Sequence, residues 1–155
     1  MIKIRKFSLS DLENVMEIEK VSFPDPWSKS YLKKLYKKYP DDFIVAEISN
    51  KIIGYILGYK KSDWTGSIKT ISVDPSFRHQ GVGKELVNFT LNKLRGKEVK
   101  EVFLHTRTKN TAASLFYKNL GFKILKTIKN YYPNGDDAYL MKLSLHLNPS
   151  PRSGI

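Results

Sequence analysis

The run Arg78-His79-Gln80-Gly81-Val82-Gly83, followed by Lys84, holds the residues whose types and spacing point most directly to chemistry. Two glycines with one residue between them let a backbone approach an oxyanion closely. The apolar positions Val82, Leu86, Val87, Thr90, Leu91 and Leu94 then describe one face of a helix that starts inside the run. The first N–H groups of a helix have no intrahelical partner and lie at the positive end of its dipole, so a loop of this kind favours a phosphate. Arg78 and Lys84 add positive charge on either side. A glycine pair by itself also fits an ordinary tight turn, so the pattern leaves that alternative open. A dinucleotide fingerprint would need a third glycine and an acidic ribose ligand after a second strand. A Walker loop would end in Gly-Lys-Ser/Thr, where this chain has Gly83-Lys84-Glu85.

Such a loop needs a strand before it and a helix after it, and the flanking patterns supply both. The spacing of Leu12, Val15, Met16, Glu19 and Phe23 predicts a helix over about 11–22, with Ser10-Asp11 as its N-cap. Ser28 should cap a second helix carrying Tyr31, Leu32, Leu35 and Tyr36, which stops before Pro40. Residues 43–48 and 52–59 read as a hairpin around Ser49-Asn50-Lys51. Trp64-Thr65-Gly66 precedes an alternating strand over 67–73, which Asp74-Pro75 ends. After the glycine loop, the helix from Val82 should be capped by Gly96. A strand over 99–106 and a helix carrying Ala112, Ala113, Leu115, Phe116 and Leu120 follow, the helix closed by Gly121. Strands over 122–128 and 139–143 complete an α+β pattern, with the N-terminal residues 1–7 as a further strand.

With 155 residues the chain has room for one catalytic domain, expected over 1–145, and the Pro- and Ser-containing segment 146–155 reads as a flexible C-terminal tail. There are 27 basic and 15 acidic residues, a net charge of +12, which predicts attraction to polyanions: nucleic acid, an acidic protein surface or a phosphorylated cofactor. The basic residues are scattered, with Lys33, Lys34, Lys37 and Lys38 on one helix, and a solvated face explains such a distribution equally well. No apolar run is long enough to span a membrane and the N-terminus lacks a signal-peptide core. With 0 cysteines there is no thiolate metal site, and no other metal cluster is evident; a cytoplasmic location is expected.

The loop resembles the pyrophosphate loop of the GCN5-related N-acetyltransferases, Gln/Arg-x-x-Gly-x-Gly/Ala. A second motif of that family is present: Asn110 opening a helix, Tyr117 further along it, then Leu120-Gly121-Phe122. The resemblance spans residues 1–144 and implies a GNAT fold, a mixed but mostly antiparallel sheet of about seven strands flanked by four helices. It implies acetyl-CoA as co-substrate, in a cleft between the fourth and fifth strands, and no metal. On this basis the segment Ile71-Ser72-Val73 would bond the pantetheine arm, residues Arg78, His79, Gln80, Gly81, Val82, Gly83 and Lys84 the pyrophosphate, and Asn110 the arm further along. Tyr117 would sit near the coenzyme sulfur, where a phenol can protonate the departing thiolate.

An amine must lose a proton before it attacks a thioester, and His105 near the end of the fifth strand is the candidate base. The context Leu104-His105-Thr106-Arg107 is similar to that of acetyltransferases acting on the initiator methionine, which carry a tyrosine on the fourth strand where this chain has Ser67. The segment 22–28, with Phe23, Pro24 and Asp25, is similar to the acceptor loop of N-terminal acetyltransferases of the archaeal Ard1/RimI-like type, and Tyr31 follows it. Residues 130–139, with Tyr131 and Tyr132, are similar to a hairpin that covers the peptide in the ribosomal-protein alanine acetyltransferases. The resemblance thus implies acetyl transfer to the α-amino group of protein or peptide N-termini by direct attack, with the ribosome or ribosomal proteins as candidate partners and no membrane partner. An acetyltransferase of the same fold acting on a small amine or lysine is the alternative. A basic nucleic-acid-binding module would explain the charge but leave Asn110 and Tyr117 without a purpose, so nucleic acid is not expected as substrate.

Overall fold

Strands alternating with amphipathic helices give, in the computed structural model, the order β1 (Lys3–Lys6), α1 (Leu12–Ser22), α2 (Lys29–Lys38), β2 (Phe43–Ile48), β3 (Lys51–Lys60), β4 (Thr65–Val73), α3 (Val82–Gly96), β5 (Glu101–Arg107), α4 (Thr111–Asn119), β6 (Lys123–Ile128) and β7 (Ala138–Ser144). The structure describes residues 1–145, so the expected tail at 146–155 lies outside the described residues. The strand order is β1-β2-β3-β4-β5-β7-β6 and the pairing is mostly antiparallel, as the α+β reading anticipates. The chain divides into two units: Met1–Tyr59 with Ile68–Leu91, and Lys60–Ser67 with the chain from Asn92 onward.

In the first unit β1, β2 and β3 form an antiparallel ladder in which Ile4 faces Ala46 and Val45 faces Tyr55. The hairpin turns on Ser49 and Asn50, both left-handed at φ 49° and 66°, a two-residue connection whose twist suits the strands it joins. Val15 and Ile18 of α1 and Leu32 and Leu35 of α2 bury with Phe7, Phe43, Val45, Tyr55 and Leu57. A Cβ at Gly54 on β3 would stand 3.1 Å from the Ser72 carbonyl oxygen and 3.2 Å from Leu86 Cδ1, so only glycine lets β3 lie this close to β4 and the first turns of α3. Ser28 caps α2 as expected, its Oγ accepting from the Tyr31 N–H at 3.2 Å. Asp11 does not cap α1. A short 3₁₀ turn, Leu9–Asp11, precedes the helix, and the buried Asp11 carboxylate instead accepts from both Arg5 Nη atoms, at 2.8 and 2.9 Å, and from the Ser8 N–H.

In the second unit β7 pairs antiparallel with both β5 and β6. Here β4 begins at Thr65, two residues earlier than its alternation suggests, and a Cβ at Gly66 would stand 3.0 Å from Leu94 Cδ1. Gly96 is the last residue of α3 rather than its cap. The left-handed position is Glu98 at φ 64°, and the Val99 N–H reaches back to the Leu94 carbonyl while the Glu98 N–H bonds that of Arg95. Val99 closes this cap, so β5 starts only at Glu101. Gly121 does close α4, at φ 104°, with the Phe122 N–H on the Tyr117 carbonyl. The buried face of α4 is Ser114 and Tyr117; Leu115, expected inside, is 59% exposed.

Candidate active site

β4 ends at Val73, and the chain is drawn back at once: the Asp74 N–H donates to the Ile53 carbonyl at 2.8 Å, and the Asp74 carboxylate accepts from the Ser76 N–H at 2.9 Å. Arg78 is extended, His79 is left-handed at φ 63°, and Gly81 is left-handed again at φ 85°. Left-handed residues of this kind gather successive N–H groups into a concavity suited to an anion. The first α3 bond closed from the loop runs from the Glu85 N–H to the Gly81 carbonyl at 3.0 Å, so the N–H groups of Val82, Gly83 and Lys84 come before it. A Cβ at Gly81 would meet nothing within 4 Å. His79, Gln80 and Lys84 are exposed, and Val82 is buried as the start of the apolar face.

Arg78 does more than lend charge to this loop. Its Nε donates to the Val73 carbonyl at 3.1 Å and its Nη2 to Ser22 Oγ at 3.5 Å, while Ser72 Oγ donates to the same Ser22 hydroxyl. One guanidinium therefore ties the end of β4 to the last residue of α1, where the 22–28 segment begins. In that segment Phe23 and Asp25 are half-buried and Pro24 is exposed. Trp27 meets Tyr31 edge-on at 5.2 Å, and Lys69 Nζ lies 5.9 Å from the Trp27 ring. Ile71 and Val73 are half-buried and Ser72 is buried along β4.

In the second unit His105 and Arg107 stand two residues apart on β5 and so share one face of the strand. The His105 ring stacks on Tyr131 at 4.4 Å and 14°, and Tyr131 meets Tyr132 at 5.0 Å, nearly perpendicular. The Arg107 guanidinium covers the Tyr132 ring at 3.9 Å and donates through Nε to Asp136 Oδ2 at 3.1 Å. Lys109 pairs with the other oxygen of Asp136 at 2.9 Å. The hydrogen bond from Lys109, with those of Asn134 and Arg107, holds the Asp136 carboxyl below the usual carboxylate range. Residues 129–137 form the connection from β6 to β7. Its tip is Tyr132-Pro133-Asn134-Gly135, closed from the Gly135 N–H to the Tyr132 carbonyl at 2.8 Å, with proline at the second position of the turn.

Asn110 caps α4, its Oδ1 accepting from the Ala113 N–H at 3.0 Å, which leaves the amide nitrogen as its donor end. Tyr117, 7% exposed, meets Phe116 at 5.3 Å and Phe122 at 5.7 Å, both edge-on. Burial, and secondarily Tyr132, pushes its phenol well above the ordinary tyrosine value, so the proton stays on. Among the described residues no group of three or more His, Asp or Glu could hold a metal ion, and no helix is long and apolar enough to cross a membrane.

The Arg78–Lys84 loop and the Asn110–Tyr117 helix lie within a match to the acetyltransferase (GNAT) family over residues 12–122. The chain belongs to that family. It is 37% identical over 143 residues to an uncharacterised N-acetyltransferase of Methanocaldococcus jannaschii, covering 89% of this chain and 88% of the relative. It is 30% identical to an N-alpha-acetyltransferase of Sulfurisphaera tokodaii, covering 92% and 93%. Its structure superposes on Ard1 from Thermoplasma volcanium with a TM-score of 0.90 at 32% identity, over 94% and 98% of the two chains. It also superposes on Arabidopsis thaliana Naa50, solved with the bisubstrate analogue CoA-Ac-MVNAL, with a TM-score of 0.80 at 26% identity, over 93% and 99%. In this GNAT acetyltransferase the residues of these clusters that sequence reasoning passed over are Arg107 and Ser22. Arg107 was discoverable from its two-residue spacing to His105. No local signal marks Ser22, because its partners are 50 and 56 residues away.

Proposed function

We propose that this acetyltransferase moves the acetyl group of acetyl-CoA to the α-amino group of protein and peptide N-termini, ribosomal proteins among them, in the cytoplasm. Residues 1–145 are proposed to make up the catalytic domain. The observation that carries the substrate reading is the braced aromatic set: Tyr131 and Tyr132 are held in place by His105, Arg107 and Asp136, as side chains that must meet a peptide backbone should be. The N-alpha-acetyltransferase relative and the peptide-bearing analogue of the Arabidopsis structure support the same reading.

Bound acetyl-CoA supplies an acyl group already activated as a thioester, and this chain's residues have two tasks toward it. The N–H groups of Gly81, Val82 and Gly83, with Lys84 and the rest of the Arg78–Lys84 loop, neutralise the pyrophosphate. The backbone at Ile71, Ser72 and Val73 and the Asn110 amide nitrogen hold the pantetheine arm. Phe23, Pro24, Asp25, Tyr31, Tyr131 and Tyr132 receive the acceptor. His105 takes the proton of the ammonium, directly or through a water, so that the nitrogen lone pair can attack the acyl carbon. As the N–C bond forms and the C–S bond breaks, the Tyr117 hydroxyl, kept protonated by burial, hydrogen-bonds or protonates the departing sulfur. The second proton shed by the nitrogen, directly or through water, ends on the thiolate or restores the phenol. No covalent acyl-enzyme is needed.

A peptide library varied at its first two residues, incubated with acetyl-CoA and read by mass spectrometry, tests the reading. Acetylation of α-amines is the expected result. Activity confined to lysine side chains or small amines would overturn it.

A further inference from the structure

Glu19 is a carboxylate on the buried face of α1, 2% exposed, at a position whose spacing matches the apolar residues Leu12 and Val15. Burial pushes its carboxyl above the ordinary glutamate range even though it is hydrogen-bonded. A polar group is costly in such a place unless it has partners, and the partners here are specific. Its backbone carbonyl accepts from the Phe23 N–H at 3.1 Å, and its Oε1 accepts from the Trp27 N–H at 3.2 Å. Its Oε2 accepts from the hydroxyl of Tyr55, which is fully buried on β3. Pro24 and Pro26 have no N–H, so between Phe23 and Trp27 only Phe23, Asp25 and Trp27 can donate from the backbone. Glu19 therefore takes the Phe23 N–H through its backbone carbonyl and the Trp27 N–H through its carboxylate, and Tyr55 on β3 fixes that carboxylate.

We propose that Glu19 is a positioning residue for the acceptor: it sets the span between Phe23 and Trp27, and through that span the fit of the segment to the incoming amine. The proposal rests on the reading of 22–28 as the acceptor segment. Glu19 touches neither substrate and acts through the Phe23 and Trp27 backbone. A glutamate that only stabilised the fold would, when replaced, lower the melting temperature and leave the Michaelis constants of the folded protein alone.

The test compares Glu19→Gln, Glu19→Met and Tyr55→Phe in the full chain, with KM for peptide, KM for acetyl-CoA and kcat measured separately. Glu19→Gln keeps an acceptor for the Trp27 N–H and an amide that can donate to the Tyr55 oxygen, so its peptide KM should stay within about twofold of wild type. Glu19→Met keeps the length and removes both acceptors, and should raise the peptide KM about tenfold, the scale of one hydrogen bond to a charged group. Its acetyl-CoA KM and kcat should remain within about twofold. Tyr55→Phe leaves the carboxylate without its anchor and should raise the peptide KM by a smaller factor in the same direction. It carries the test if Glu19→Met does not fold by circular dichroism. An unchanged peptide KM in a folded Glu19→Met or Tyr55→Phe protein, or equal loss in all three constants, would overturn the proposal. If the wild-type protein acetylates lysine side chains and no α-amine, the α-amine reading fails by itself, and the same KM comparison on that acceptor still decides the role of Glu19.

Discussion

Replacing Gly81 separates the cost of folding the phosphate loop from the cost of using it. The backbone there is at φ 85°, a conformation that costs a residue with a side chain roughly 1–2 kcal/mol. The alanine Cβ would meet nothing within 4 Å, so no steric term adds to that cost in the unliganded protein. For a domain of this size one kcal/mol corresponds to about 2–4 °C in Tm, so Gly81→Ala should melt about 2–8 °C below wild type and remain fully folded at 25 °C. In the proposed pyrophosphate role its effect on the ligand should be far larger, because the oxyanion would approach the loop N–H groups through the open space in front of Gly81. Displacing the anion by even a few tenths of an ångström weakens several charge-assisted bonds together. We expect CoA affinity to fall by at least about tenfold, a loss of roughly 1.4 kcal/mol, and Gly81→Val to abolish binding. Differential scanning calorimetry gives the first quantity and isothermal titration with CoA the second. Wild-type CoA affinity in either folded variant would refute the assignment of this loop to the pyrophosphate.

Two further outcomes follow from the second unit. His105→Ala should lower turnover much more than acetyl-CoA affinity, and steady-state kinetics across pH 6–9 would sink the base assignment if the variant's turnover matched wild type throughout. Because the folded-state pKa of Asp136 is lowered, its contribution to stability is fully present above the ordinary carboxylate range and is lost as pH falls through the lowered value. Amide resonances of 129–137 should therefore shift and broaden on acidification below about pH 4, and Asp136→Asn should show the same spectrum already at neutral pH. A segment unchanged down to pH 2 would remove the ion pairs with Arg107 and Lys109 from the account of what holds it.

What the sequence revealed and what it hid divides along the range of the interactions. The phosphate loop, the Asn110 cap and the Gly121 terminus are each set within a few residues, so residue type at fixed spacing exposes them. Asp11 reads as a helix cap from its neighbours alone, but its partner Arg5 lies on β1, and an ion pair with a strand outcompetes the cap. Gly96 drew attention as a glycine near a helix end, yet the turn was completed with Glu98 in the left-handed position, since α3 runs one residue further than glycine preference suggests. Apolarity alone places Leu115 inside, while the face that buries is fixed by Tyr117 and its contact with Phe122. Glu19 fell at a core spacing and looked like an ordinary helix position. Only the fold reveals that its partner is the hydroxyl of Tyr55, 36 residues away.

The chain contains 2 tryptophans, Trp27 and Trp64. Trp64 is 54% exposed with the Lys100 ammonium 4.2 Å from its ring, so a phenylalanine should replace it with little loss of packing. The remaining indole would then sit in the segment held by Glu19, edge-on to Tyr31 and beneath Lys69. Its emission is sensitive to any shift of that ammonium or entry of water. In the acceptor role proposed for residues 22–28, Trp27 is a built-in optical probe of acceptor arrival, one that allows pre-steady-state mixing experiments without a label and on unmodified peptides.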